Sequence, residues 1–101
     1  MKAKVRFQRK LTLIHETIEE VAIAGLKIVE IPKSKYYPEG LKYSLFLVYK
    51  NSGQVIIGFD NHKPKGPHLH YKENEVPYEF KNMDQLVEDF WELVKKEGFI
   101  L

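Results

Sequence analysis

Four side chains capable of acid–base or metal chemistry lie within a short stretch near the middle of the sequence. Asp60 and His62 are two residues apart, and so are His68 and His70. Residues two apart on a β-strand point to the same side, with about 6.6 Å between their Cα atoms, so each pair can reach one ligand. If the loop between the pairs folds back as a hairpin, all four side chains converge. We predict these four as the catalytic residues.

This set is compatible with three kinds of chemistry. Neutral imidazoles with a carboxylate are ligands for zinc, manganese or iron, so the same four residues are a candidate metal site. Without a metal, one histidine can act as base and another as acid in RNA cleavage by the 2′-hydroxyl, with Lys63 or Lys65 holding the phosphate. The third alternative is a proline-stiffened surface loop whose histidines bond to the backbone or stack on Tyr71.

Two strands are predicted to lead into this loop. Residues 41–50 carry apolar side chains on both faces, which is typical of a central strand. Residues 51–53 (Asn-Ser-Gly) predict a hairpin turn. Residues 54–60 then form the return strand, whose last residue is the aspartate of the candidate site.

The segment after the loop contains a short strand, an extended piece and a helix. We expect strand over residues 68–72, while Pro77 restricts residues 78–80 to an edge strand or a connector. Asn82 is a good helix N-cap with Gln85 as its capping-box partner, and Gly98 is placed to end the helix. The apolar tail, residues 99–101, is expected to pack on the core or on another chain.

The N-terminal third is predicted to form a two-stranded hairpin. Residues 3–13 alternate between apolar and polar side chains, with Arg9 marking a bulge or the sheet margin. A turn is expected at residues 14–17. Residues 18–31 fit a short helix or a strand, and their β-branched residues favour a strand that bulges near Gly25. A loop follows over residues 33–40.

These elements predict an α+β fold, with an antiparallel sheet of about four to five strands and one C-terminal helix packed across a face. The 101 residues are expected to form a single domain, 1–101. The absence of cysteine fits the cytoplasm. No apolar run approaches the roughly 20 residues of a membrane span.

Charge is distributed unevenly along the chain. Residues 1–72 hold 13 Lys/Arg and 6 Asp/Glu, a net +7, whereas residues 73–101 hold 3 and 8, a net −5. The basic part could bind a polyanion such as RNA, although solvated lysines on a sheet explain the same pattern. The lysines and arginines of the first strand's polar face are candidate RNA contacts: Lys2, Lys4, Arg6 and Lys10. Tyr71 is a further candidate, because an exposed tyrosine near lysines can stack on a base.

Several motifs together resemble one protein family. The motifs are Ile57-Gly58-Phe59-Asp60-Asn61-His62, Lys65-Gly66, His68-Leu69-His70-Tyr71 and Val76-Pro77-Tyr78-Glu79-Phe80. Upstream, residues 31–34 and 37–44 are similar as well. This pattern, after two strands and before a C-terminal helix, resembles the TumE-like family over about residues 28–95.

The resemblance implies the toxin component of a type II toxin–antitoxin pair, acting on RNA or on translation, with a helix-turn-helix antitoxin as partner. The resemblance does not supply a catalytic residue list. We expect no cofactor, with a divalent metal as the alternative. Two other functions stay open from the residues: a metal-binding protein that uses the same histidines, and a non-catalytic interaction module. In the last case the tail or a sheet edge binds another protein or a second copy of the chain.

Overall fold

A computed structural model describes residues 3–100, which form one seven-stranded sheet and one helix. All neighbouring strands pair antiparallel, in the order β6-β5-β4-β3-β2-β1-β7. The predicted α+β class with a C-terminal helix is confirmed, but four to five strands is wrong. The elements in chain order are β1 (Lys4–His15), β2 (Val21–Glu30), β3 (Leu41–Tyr49), β4 (Val55–Asp60), β5 (His68–Tyr71), β6 (Asn74–Pro77), α1 (Met83–Lys96) and β7 (Phe99–Ile100).

The sequence pattern did not predict β6 and β7, which are short strands at the two edges of the sheet. β6 follows β5 through a turn in which Lys72 has a φ of 56°, and it ends at Pro77. Residues 78–80, predicted as an edge strand or a connector, are a connector between this edge strand and α1. β7 exists because Phe99 and Ile100 pair with the end of β1. A two-residue strand has no periodicity, so only this distant pairing defines it.

The N-terminal hairpin is longer and more regular than predicted. Residues 14 and 15 belong to β1 rather than to a turn, because β2 and β7 pair with them. The bulge in β1 is at Arg6, not Arg9, and it turns Val5 to the opposite face of the sheet. Gly25 keeps an unbroken register with both neighbouring strands, so the predicted bulge there is wrong.

Helix α1 packs against β3, β4 and β7 on one face of the sheet. The core between them is apolar, and Leu86, Phe90 and Val94 are the buried residues of the helix. The side chain of Asn82 accepts a hydrogen bond from the Gln85 amide at 2.8 Å, which confirms the N-cap. The Gln85 side chain bonds to Asp89 instead of closing a capping box.

The other face of the sheet points away from α1, and we call it the open face. Strand alternation and register place its residues opposite to the buried positions. The open face includes Val5, Gln8, Lys10, Thr12 and Ile14 of β1, Val21, Ile23, Gly25, Lys27 and Val29 of β2, Lys42, Ser44, Phe46 and Val48 of β3, Val55, Gly58 and Asp60 of β4, His68 and His70 of β5, and Glu75 and Pro77 of β6.

Near the C-terminus, one residue of β7 packs on the core. Phe99 is buried and contacts His15 and Tyr49, so the tail packs back on this chain at that residue, while Ile100 is exposed. Lys2 and Leu101, expected on the basic strand face and in the tail, lie outside residues 3–100. Within that described range no helix is long and apolar enough to cross a membrane.

Candidate functional site

Asp60, His68 and His70 lie together on the open face, where β4 meets β5. Asp60 pairs with His68 in the antiparallel register, and Gly58 pairs with His70. The strand alternation anticipated from their spacing puts both imidazole rings on the same face as the carboxylate. Three of the four predicted catalytic residues are therefore neighbours.

His68 is held between two acceptors. Its Nδ1 lies 2.9 Å from the carbonyl oxygen of Gly66, and because a carbonyl only accepts, Nδ1 carries the hydrogen in this contact. Its Nε2 lies 3.2 Å from Oδ1 of Asp60. A second proton on Nε2 makes that contact a charged pair. The side chain is only 15% exposed, so the ring has a defined orientation.

Asp60 also organises the start of the loop. The backbone N–H of His62 donates to Oδ1 of Asp60 at 3.2 Å, and His62 Nδ1 lies 4.0 Å from the same oxygen. The His62 side chain is more than half exposed and is absent from the lining of the depression that His68 and His70 share. The fourth predicted residue thus contacts the shared carboxylate but lines a different pocket.

The shallow depression around the first three residues has a volume of about 370 Å³, and we call it the histidine pocket. Phe46 and Ser44 of β3 form one wall, and β5 and β6 form the other. None of the β3 and β6 lining residues was predicted, because only the strand pairing brings them to the site. The lining is Ser44, Leu45, Phe46, Val55, Gly58, Phe59, Asp60, His68, His70 and Glu75.

A second depression of about 380 Å³ adjoins the first, and the two share Ser44. We call it the lysine pocket, because Lys27 and Lys42 line it together with His62. Both lysines are exposed and belong to the open face. The sequence offered no signal for them, since they lie 15 residues apart on different strands.

The predicted phosphate-binding lysines of the loop are directed elsewhere. The ammonium of Lys65 is paired with Glu75 at 2.6 Å, and this hydrogen bond lowers the pKa of the Glu75 carboxyl. The ammonium of Lys63 stands 5.7 Å from the ring centroid of Tyr36. Lys65 reaches the rim of the histidine pocket through its carboxylate partner, whereas Lys63 lies outside the pocket lining.

The other predicted RNA contacts are dispersed over the molecule. Tyr71 points to the helix side, where its hydroxyl donates to Glu97, and this bond raises the pKa of Tyr71 to about 12. Arg6 is paired with Glu30 at 2.7 Å, and Lys4 is in register with the same glutamate. Lys10 alone among these shares the open face with the histidine pocket.

Asn61 is the site's structural anchor, and sequence reasoning did not single it out. It is 3% exposed, its Oδ1 accepts from the Tyr43 amide at 2.9 Å, and its Nδ2 donates to the Leu41 carbonyl at 2.8 Å. The side chain thus replaces a strand residue beside β3 and fixes where the loop leaves the sheet. Tyr37 adds a bond from the Lys63 amide to its hydroxyl at 3.2 Å.

Asp60, His62, His68 and His70 are the candidate metal ligands. Within residues 3–100 no group of three or more histidine, aspartate or glutamate side chains is arranged to hold one. Asp60 and His68 are in contact, but His62 lines the neighbouring pocket. The geometry at the site is that of a carboxylate–imidazole pair beside a further imidazole.

Comparison with known proteins identifies the chain at the level of a family. No curated protein and no solved structure matches it. A family model described as "Toxin TumE" matches residues 3–97, which include every strand from β1 to β6, both pockets and the helix. The match covers far more than half of the sequence, so this chain belongs to the TumE toxin family.

Proposed function

We propose that this chain is the toxin component of a type II toxin–antitoxin pair and that it cleaves RNA in the histidine pocket. The observation that carries the proposal is the His68–Asp60 contact at 3.2 Å beside His70, on a sheet face that points away from the helix. An open sheet face admits a polymer, and two imidazoles beside one carboxylate supply an acid and a base. Membership of a toxin family supports a toxic activity.

The proposed reaction is a transesterification within the RNA chain. A ring nitrogen of His70 takes the proton of the 2′-hydroxyl, and the 2′-oxygen forms a bond to phosphorus. The bond from phosphorus to the 5′-oxygen breaks. Protonated His68, whose Nδ1–H is held by the Gly66 carbonyl, releases its Nε2 proton from the contact with Asp60 and gives it to that oxygen, leaving a 2′,3′-cyclic phosphate and a 5′-hydroxyl end.

The toxin family implies an antitoxin partner. We propose a small helix-turn-helix protein encoded beside this chain, with both proteins in the cytoplasm, where RNA is translated. Expression of this chain alone then arrests growth, because transcripts are cut, and co-expression of the neighbouring protein restores growth. Harmless expression, or arrest that the neighbouring protein does not relieve, contradicts this part of the proposal.

Purified protein tests the chemistry directly. We expect His68→Ala and His70→Ala each to lower the cleavage rate of single-stranded RNA by about 10²- to 10⁴-fold, the usual contribution of a general acid or base. His15→Asn is the matched control: this histidine lies at the far end of β1, where its Nδ1 accepts two amide N–H groups that an Asn oxygen can also accept.

Three results would refute the cleavage proposal. One is wild-type protein that leaves RNA intact, and another is a His68→Ala variant as active as the His15→Asn control. The third is activity that disappears in chelator and returns with added metal, because the proposed step uses only side chains. Product analysis adds a positive criterion, since the mechanism leaves a cyclic phosphate on the upstream fragment.

A further inference from the structure

Two neighbouring rows of residues cross the open face at right angles to the strands. Each row has a lysine near its β1 end and a histidine on β5. One row is Lys10, Gly25, Phe46, Gly58, His70 and Glu75. The other is Gln8, Lys27, Ser44, Asp60 and His68. Lys27 on β2 and His68 on β5 are three strand spacings apart, which is about 14 Å at roughly 4.8 Å per spacing. A ligand that contacts both residues must therefore be extended.

Phe46 stands in the middle of these rows. It is 36% exposed although it is a large apolar side chain at the centre of the sheet. The end of its ring leans over Gly25, where a Cβ atom would lie only 2.4 Å from the ring's Cζ. Because Gly25 has no side chain, the Phe46 ring can pack directly on its backbone. A supported and partly exposed aromatic ring beside the histidine pocket is a surface on which a nucleobase can stack.

Charge on this part of the open face has one sign. The open-face positions of β1, β2 and β3 include Lys10, Lys27 and Lys42 and no acidic residue. The exposed acids of the helix, Asp84, Glu88 and Glu92, belong to the opposite side of the sheet. Lysine is depleted at the centres of protein–protein interfaces, so exposed lysines in the middle of this face favour a polyanion over a protein partner.

We infer that single-stranded RNA crosses the open face, with one base stacked on Phe46 and the neighbouring phosphates on Lys27 and Lys42. The lysine pocket and the histidine pocket share Ser44, so a strand held in the first continues into the second. Bases in a duplex are already stacked on each other and cannot reach the ring, so the ligand is single-stranded. The inference rests on RNA as the substrate in the proposed function and adds its path and strandedness.

Binding is measured separately from cleavage. The probe is a short fluorescent RNA with 2′-O-methyl riboses, which removes the attacking hydroxyl, and the comparison probe is the duplex of the same sequence. We expect Phe46→Leu, which keeps apolar bulk over Gly25, to weaken single-strand binding by about 5- to 150-fold. Phe46→Trp keeps an aromatic ring and is expected to bind like wild type. Equal melting temperatures establish that both variants are folded.

The contribution of Lys27 and Lys42 is measured through the salt dependence of binding. We expect Lys27→Gln/Lys42→Gln to reduce the slope of log affinity against log salt by about 1.4, at roughly 0.7 per phosphate contact on a single strand. Lys95→Gln/Lys96→Gln removes the same charge from the end of α1 and is expected to leave the slope unchanged. Equal slopes for the two double variants would overturn the inference, because net charge would then explain binding.

The outcomes separate this inference from the proposed function. RNA cleavage that depends on His68 but is indifferent to Phe46→Leu refutes the path and leaves the cleavage proposal standing. Phe46-dependent binding without cleavage supports the path and refutes the nuclease. Duplex bound as tightly as single strand also refutes the inference, and so does an open face that binds protein but no RNA.

Discussion

At the scale of single residues, Asn61 fixes the start of the loop that joins Asp60 on β4 to the histidines of β5. A backbone residue paired with β3 would have to supply one acceptor and one donor at this position. The asparagine side chain supplies both from a buried location, to the Tyr43 amide and the Leu41 carbonyl. The site is therefore attached to the sheet immediately after its carboxylate.

We expect Asn61→Ala to lower the free energy of unfolding by about 2–4 kcal/mol, because the Tyr43 amide and the Leu41 carbonyl lose their hydrogen-bond partner inside the fold. Urea denaturation measures this change. Asn51→Ala, at an exposed turn position, is the control and is expected to stay within about 0.5 kcal/mol of wild type. If the two variants are equally stable, the Asn61 bonds do not hold the loop.

At the scale of elements, the end of α1 and the end of β1 form one junction. Gly98 follows the helix with a φ of 88°, and a Cβ atom there would lie 2.5 Å from Nε2 of His15. The ring cannot easily move, because its Nδ1 accepts the Thr17 and Ile18 amides and its edge packs on Phe99. The glycine thus ends the helix and also admits the histidine.

This junction can be tested against a second glycine with similar backbone geometry. Gly53 has a φ of 73° with nothing near its missing Cβ, so Gly53→Ala carries only the left-handed strain of about 1–2 kcal/mol. We expect Gly98→Ala to cost at least about 1 kcal/mol more, as measured by thermal or urea unfolding. In a His15→Ala background, Gly98→Ala should cost no more than Gly53→Ala, because the ring that the new Cβ would meet is gone. An excess cost that persists in that background would show that the ring is not its cause.

At the scale of the whole molecule, the fold separates two surfaces of different charge. The open face carries Lys10, Lys27 and Lys42 on β1 to β3, and the helix carries exposed acids on the other side of the sheet. In the proposed function, these lysines attract the RNA and the exposed acids of the helix repel it.

The C-terminal segment completes the sheet, since β7 pairs with Ile14 and His15 of β1 and Phe99 is 4% exposed. We expect Phe99→Ala to cost about 3–5 kcal/mol, the usual range for a buried phenylalanine, which is a large part of the stability of a small domain. Ile100→Ala, at a 45% exposed position, is the control and is expected to cost well under 1 kcal/mol in the urea-unfolding free energy. Equal costs would show that the tail does not pack on the core.

Much of this architecture follows from local sequence pattern. The period-two runs of β1 and β3, the Asn-Ser-Gly turn and the helix from its N-cap at Asn82 to Gly98 depend on neighbours in the chain, so the sequence alone determined them. The shared face of His68 and His70 follows in the same way from strand alternation. β7 and the unbroken register at Gly25 depend on residues far away, and local pattern could not predict them.

The composition of the site was decided by the tertiary structure. Strand pairing set Phe46 and Ser44 beside the histidines, and it placed Lys27 next to Lys42 although neither motif nor spacing links them. It also sent Tyr71 to the helix side and paired Lys65 with Glu75. Sequence spacing specifies which side chains share a strand face, whereas the order and register of the strands specify which faces become neighbours.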